Sequence, residues 1–354
     1  MRWGASKRPG QMLLMDDLSR HVLRVLGSFS DDHERGDEVV SPDRLEALLL
    51  AHGLLGFYGR KISPSPAGVQ KGLAAQWAIT LRLAGLQDLV MRVFAGAGIP
   101  CLILKGSPLS ERLYDDALIR PVGDVDILVS PGEAQRAFEA LRGEGFREIV
   151  SKPDHFHRSF QRPGHRETLE LHHDLSDGRF SFPIPDIFAR RGSVRLSGQE
   201  VAVMHPCDEL LYLTAHHAHH YLLGRFMWLM DVAFFIERYG ERIDWNAFVE
   251  RARAWKLRHA VWASFAWAEH FFGSRWRSAE RESVGRVIRL FCPPAVTRQW
   301  IKFFASRETP FSARVHTSAQ AGRWLALALM DSPTSRVRQL WLRTGWARKM
   351  KSQT

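Results

Sequence analysis

Two aspartates, Asp124 and Asp126, stand two residues apart in the run Val122 to Val129. Val125, Ile127 and Val129 alternate with them, which predicts a strand. On a strand, residues i and i+2 share a face, so both carboxylates leave the sheet on one side. Burying two unpaired carboxylates in so apolar a strand is costly, and a hard divalent cation held between them removes that cost. Upstream, Ile99 to Leu104 reads as a buried strand that breaks at Gly106-Ser107, where a short helical run from Pro108 to Tyr114 begins. Gly106 lets the backbone come close to a phosphate, and Ser107 with its neighbours presents N–H groups at a helix start. Lys105 ends the buried strand, an expensive position for an ammonium without an anion nearby. Arg120 lies just before the aspartate strand, where a guanidinium can grip phosphate oxygens. For these two cations the alternative is a surface pair with Asp115 or Asp116. A further carboxylate, Glu170, falls in the alternating run Glu167 to His172, on one face with Thr168 and His172.

The elements that must position these groups follow in chain order. Met12 to Leu26 has helical spacing and is followed by a charged linker, Ser28 to Asp37. Ser41 as cap and Pro42 as first helical residue open a helix over Asp43 to Ala51. Ile62-Ser-Pro-Ser-Pro66 is a break, and a long helix from Gly72 to Ala97 stops at Gly96-Ala-Gly98. After the aspartate strand, Ser130-Pro-Gly-Glu133 has the form of a capping box before a helix that packs Ala134, Ala137, Phe138 and Leu141 inward. Phe146 to Ser151 predicts a strand. Phe156 to Gln161 and Arg166 to His173 predict a hairpin turned by Arg162-Pro-Gly-His165, since Pro-Gly supplies the turn dihedrals. Residues 176 to 204 read as an irregular crossing segment with one short strand, Val194 to Val203. From Pro206 on, the spacing predicts helices at 206–223, 226–239, 245–256, 258–272, 279–291, 294–306, 316–330 and 335–349.

Lys105-Gly106-Ser107, the run Arg120-Pro-x-Gly-Asp124-x-Asp126 and Glu170-Leu-His172 resemble the uncharacterised nucleotidyltransferase family of the DNA polymerase β superfamily. The likeness covers about residues 99 to 175 and continues weakly through Arg225 to Trp228, Asp231 and Asp244-Trp245. It implies an α+β fold: a small mixed-sheet nucleotidyltransferase core at 99–204, between an N-terminal helical segment (1–98) and a C-terminal helical domain (205–354). It also implies Mg²⁺ or Mn²⁺ as cofactor and a nucleoside triphosphate as co-substrate. Asp124 and Asp126 would bind two ions, and Glu170 would take the third-carboxylate role at the ion that activates the nucleophile. Gly106 and Ser107 would cradle the β- and γ-phosphates, with Lys105 and Arg120 neutralising charge and His172 beside the nucleotide. The implied reaction moves a nucleoside monophosphate to a hydroxyl or phosphate acceptor and releases pyrophosphate. A modified peptide, a sugar phosphate, a protein or a small molecule would each serve as acceptor. The alternatives are transfer of another phosphate-linked group, such as a sugar from a nucleotide sugar, and a non-catalytic nucleotide-binding regulator of toxin–antitoxin type.

Several other features have plainer readings. In the cluster His216-His-x-His-His220, His216 and His220 lie one helical turn apart, a spacing that can chelate zinc. No glutamate follows His216, and helix packing or a place in the substrate cleft is the preferred reading. His155 and His157 read as a solvated strand face. Asp231, in an apolar helix three residues after Trp228, reads as a packing residue, with closure of the cleft against Arg225 as the alternative. Arg336 to Lys351 carries basic residues and tryptophans, and reads as a solvated terminal helix with one packed face in preference to a nucleic-acid or membrane helix.

The bulk composition sets bounds. Apolar residues make up 45% and charged residues 25% of 354 positions, as in ordinary globular proteins, with enough chain for two or three domains. A net charge of +11 favours an acidic partner. Cys101, Cys207 and Cys292 are odd in number, far apart and in apolar surroundings, which predicts reduced, buried thiols. The opening Met-Arg-Trp-Gly has no following apolar segment of signal-peptide length, and Trp324 to Met330 is too short to cross a bilayer. The expectation is a cytoplasmic protein without a transmembrane segment.

Overall fold

The computed structural model describes residues 42–61, 67–150, 155–196, 199–220 and 225–272. The run Met12 to Leu26, the linker after it, the cap at Ser41, the break at 62–66, Cys292, the helices expected from residue 279 and the basic tail lie outside the described residues. The architecture is α+β. Among the described residues ten α-helices and seven strands succeed one another: α1 (Pro42–His52), α2 (Leu55–Lys61), α3 (Ala67–Gly96), β1 (Cys101–Ile103), α4 (Ser107–Tyr114), β2 (Val125–Val129), α5 (Ala134–Gly143), β3 (Arg147–Val150), β4 (His157–Gln161), β5 (Leu169–His172), α6 (Ile184–Arg190), β6 (Gly192–Leu196), β7 (Gln199–Val203), α7 (Pro206–His219), α8 (Phe226–Tyr239), α9 (Trp245–Ala254) and α10 (Arg258–Phe272).

The main sheet has the order β1-β2-β5-β4-β3. Its pairs are antiparallel except β2 with β5, which run parallel. Alternation along β2 separates two environments. Val125, Ile127 and Val129 pack with Phe94 of α3 and Ala137, Phe138 and Leu141 of α5, in a core shared by Leu169, Leu171 and Phe160. Each such side chain fully buried contributes about 1.5–3 kcal/mol. The opposite face turns Leu128 into the larger helical core built from α1, α2 and α7 to α10, and carries Asp126. The sheet is thus covered on both sides, and the acidic positions stand where the helical layer leaves a gap.

Several boundaries differ from expectation. β2 begins at Val125, not Val122, because Pro121 and Gly123 interrupt the ladder. Its first bond runs from Val125 N to the Thr168 carbonyl at 2.9 Å. Asp124 therefore sits in the bend ahead of the strand. Pro131–Glu133 forms a 3-10 turn, Ser130 makes no side-chain cap, and the helix starts at Ala134. The single strand expected over 194–203 is a hairpin, β6 with β7, and helix α6 precedes it. Ser197-Gly198 between the two strands is a turn-favouring pair that the sequence already contained. The Arg162–His165 turn closes as predicted, with His165 N donating to the Arg162 carbonyl at 3.0 Å.

The N-terminal helices reach the site from behind. Gly56 in α2 lies so close to the Ile119 carbonyl that a Cβ there would overlap it. Gln76 of α3 donates to the Leu118 carbonyl at 3.0 Å. Together they fix the segment that presents Arg120. Buried ion pairs tie the layers: Arg112 of α4 to Glu209 of α7, and Asp208 of α7 to Arg190 and Arg251 at 3.0 and 2.8 Å. Cys101 and Cys207 are buried free thiols. Among the described residues no helix is long and apolar enough to cross a membrane.

Candidate active site

Parallel pairing of β2 with β5 sets Asp126 directly opposite Glu170. Asp124, one residue ahead of β2, turns to the same side. One oxygen from each of Asp124, Asp126 and Glu170 lies within 4.8 Å of the others. Three carboxylates that converge this closely repel one another unless cations stand between them. The chain sets the Lys105 ammonium and the His172 ring against Asp126. Lys105 Nζ sits 3.0 Å from Asp126 Oδ2, brought there because Leu104 N bonds the Asp126 carbonyl at 3.1 Å. His172 Nε2 lies 3.1 Å from Asp126 Oδ1. Neither Asp115 nor Asp116 takes Lys105 or Arg120: Asp115 pairs with Arg238 and Asp116 with Arg60.

The charges respond accordingly. Burial raises the Asp124 carboxyl, and the nearby Asp126 raises it further, to about 6. Burial would raise Asp126 as well, but Lys105 and His172 outweigh it and hold the group ionised far below the usual range. Burial works against the Lys105 ammonium, yet Asp126 leaves it more basic than a free lysine. His172 behaves alike: burial opposes its charge, and the hydrogen bond to Asp126 and the nearby Glu170 carboxylate raise it. Glu170 is lowered despite burial, because the His172 ring stands beside it. Its side chain is 25% exposed against 2% for Asp126, so of these two an incoming molecule reaches Glu170 more readily.

Gly106 caps α4 with φ 81° and ψ −146°, a conformation close to glycine-only. A Cβ there would find ordinary contacts, the nearest being Val122 Cγ1 at 3.6 Å, so conformation and not space requires glycine. Lys105, Gly106 and Arg120 line a cleft of about 380 Å³ together with the three carboxylates, and Ser107 stands one residue beyond the lining. Arg120 is buried and its Nε donates to both oxygens of Asp231, at 3.1 and 2.9 Å. Tyr114 OH donates to the same carboxylate at 2.9 Å. The Arg120 Nη groups have no hydrogen-bond partner among the described residues, and the side chain borders the cleft. Asp231 therefore packs against Arg120 and not Arg225, and it orients the guanidinium.

The cleft also recruits residues that spacing alone did not single out. Arg225, at the start of α8, lines it without a carboxylate partner among the described residues. Burial, and then Arg120, lower its pKa, while Asp124 works the other way. His155 and His157, read from sequence as a solvated face, line the cleft, because β4 pairs with β5 and carries them over Glu170. His216 is not poised for zinc with His220: its Nε2 lies 3.3 Å from Lys105 Nζ, as acceptor of that ammonium, and both rings pack on Trp228. Burial and Lys105 keep His216 neutral. The only signal for these contacts was the cluster of histidines itself, which carried no information about its partners.

The family described as uncharacterised nucleotidyltransferase matches residues 40–273, well over half of the chain. The chain belongs to that family. A solved structure described as an antigenic nucleotidyltransferase-like protein from Paracoccidioides brasiliensis is similar at 16% identity over 45% of this chain and 75% of that one, with a TM-score of 0.28. No curated protein matches. The resemblance seen at 99–175 thus extends through α10, and this nucleotidyltransferase-family chain brings its helical layer within the family's span.

Proposed function

We propose that the protein is a metal-dependent nucleotidyltransferase that moves a nucleoside monophosphate from a nucleoside triphosphate to a hydroxyl or phosphate acceptor, with pyrophosphate leaving. The observation that carries the reading is the register of Asp126 against Glu170, with Asp124 converging on them beside the Gly106 turn. Three carboxylates with oxygens this close, and no arginine on Asp124 or Glu170 to neutralise them, fit Mg²⁺ or Mn²⁺. A divalent ion bound there would supply Lewis acidity at the phosphoryl oxygens and at the attacking hydroxyl.

The chain's own groups do the rest. Backbone N–H groups following Gly106 receive phosphate oxygens at the start of α4. Arg120, steadied by Asp231 and Tyr114, and Arg225, which has no carboxylate partner among the described residues, hold the polyphosphate. Lys105 and His172 keep Asp126 ionised and fixed, so the site is organised before substrate arrives. Glu170, ionised and the more open carboxylate, can accept the acceptor's proton. The helical layer over the cleft would then choose the acceptor, which chemistry leaves as a peptide, sugar phosphate, protein or small molecule.

The test is turnover of labelled nucleoside triphosphates in the presence of magnesium and candidate acceptors, scored by mass shift. Asp126→Asn is the variant to use. Asp126→Ala would leave Lys105 and His172 buried without their counter-charge, and a loss of folding would confound the result. Asp126→Asn should lower the rate on the order of a thousandfold, about 4 kcal/mol of barrier. Transfer at the wild-type rate would refute the assignment.

A further inference from the structure

Glu170 belongs to a second constellation that the carboxylate trio does not use. The antiparallel register of β4 with β5 places His157 opposite His172, their rings 4.9 Å apart at the centroids. Glu170 precedes His172 by two and so shares its face. Its carboxylate lies between the two imidazoles, with Oε1 3.6 Å from His157 Nε2 and Oε2 3.6 Å from His172 Nε2. Such separations are too long for hydrogen bonds. They are close to the roughly 3.4 Å that separates neighbouring ligands around one tetrahedral ion with bonds of about 2.1 Å. Ligand atoms of His157, Glu170 and His172 all fall within 4.8 Å of one another.

The rings themselves point the same way. Nδ1 of both His157 and His172 is buried with no hydrogen-bond partner among the described residues, so turning either ring onto an ion breaks no bond on that side. His172 is 4% exposed, and its Nε2 faces Glu170 and bonds Asp126 Oδ1 at 3.1 Å; an ion seated here would take that nitrogen in place of the Asp126 contact, with the ring proton on Nδ1. Two ring nitrogens and a carboxylate thus converge at the cleft wall, three ligands with the remaining position open to the cavity.

We infer that the cleft has two unlike metal seats sharing Glu170: an all-oxygen seat at Asp124 and Asp126, and a nitrogen-rich seat at His157 and His172 that takes a borderline transition-metal dication of the Zn²⁺ class. Imidazole ligands favour such ions, whereas Mg²⁺ prefers oxygen and keeps its waters. The inference rests on the proposed transfer reaction only for its catalytic consequence, a mixed pair of ions at the phosphoryl centre. The seat itself stands on the three side chains.

The experiment is a Co²⁺ titration of the tag-free full chain, stripped with chelator, at neutral pH, without nucleotide and with Mg²⁺ in large excess. The readout is the visible d–d absorption of the bound ion. The expected result is one equivalent of Co²⁺ that excess Mg²⁺ does not displace and Zn²⁺ does. His157→Ala and His157→Gln should each weaken it at least tenfold with unchanged circular dichroism, while Asp124→Asn leaves the band in place. Displacement by Mg²⁺, wild-type affinity in both His157 variants, or loss in Asp124→Asn alone would overturn the second seat. Because no nucleotide is present, the transfer reaction can fail while this result holds, and the reverse.

Discussion

Asp124 is a carboxylate whose surroundings oppose its charge near neutral pH. Its carboxyl is raised from 3.8 to about 6, first by burial and then by Asp126. A group whose folded pKa is raised favours the native state below its unfolded value, and that benefit is lost as pH rises through the folded value. In chelator, Asp124→Asn should therefore stabilise the protein at pH 7.5 by about 1–3 kcal/mol. Near pH 4.5 the gain should shrink, since wild-type Asp124 is then protonated in the fold. Melting temperatures of the two proteins at both pH values check this, and an equal difference at both would contradict it. Asp126 is the converse case, with Lys105 and His172 holding it ionised across the same range.

Among the elements, α2 has a role that its sequence hides. Gly56 lets the helix lie against the Ile119 carbonyl, and the next residue along is Arg120. Gly56→Ala should force that loop away, at about 1–3 kcal/mol for overpacking. Because the loop presents Arg120, weaker nucleotide binding should accompany the lower urea midpoint. Unchanged stability would mean that the helix and loop are not in contact. On the other side, α4 is locked to α7 by the buried pair of Arg112 with Glu209. Glu209→Ala leaves a guanidinium buried without its carboxylate, a change that costs about 3–5 kcal/mol. Burial shields the pair from salt, so the loss measured by urea unfolding should be similar at low and high ionic strength.

At the scale of the whole molecule, the sheet is a partition. One face is dry and packs α3 and α5, and the other holds the carboxylates under a helical layer that brings Arg225, Trp228 and the α7 histidines to the cleft. A ligand seated between sheet and helices bridges the two and so stabilises both. Nucleoside triphosphate with magnesium, each well above its dissociation constant, should raise the melting temperature. At a hundredfold excess the gain is about 2.7 kcal/mol. No shift with any of the four triphosphates would favour a non-catalytic member of the family.

Much of this was legible in the residues. Alternation of Val125, Ile127 and Val129 with Asp126 fixed which face the carboxylate takes, because a strand's period of two is a local property of the backbone. The same locality explains why the Pro163-Gly164 turn and the helices 226–239 and 258–272 were readable nearly to the residue. The position of Glu170 opposite Asp126 was not local. It follows from a parallel pairing between strands over forty residues apart, and nothing in either strand states the register. The partners of Lys105, Arg120 and His157 are likewise set across sequence separations of 21, 111 and 13 residues, by strand pairing for the first and last and by helix packing for Arg120. The sequence by itself determined which groups could do chemistry and which face each would take within its own element. Only the tertiary structure decided which of them meet, because contact between elements depends on register and layer packing that short-range residue preferences do not encode.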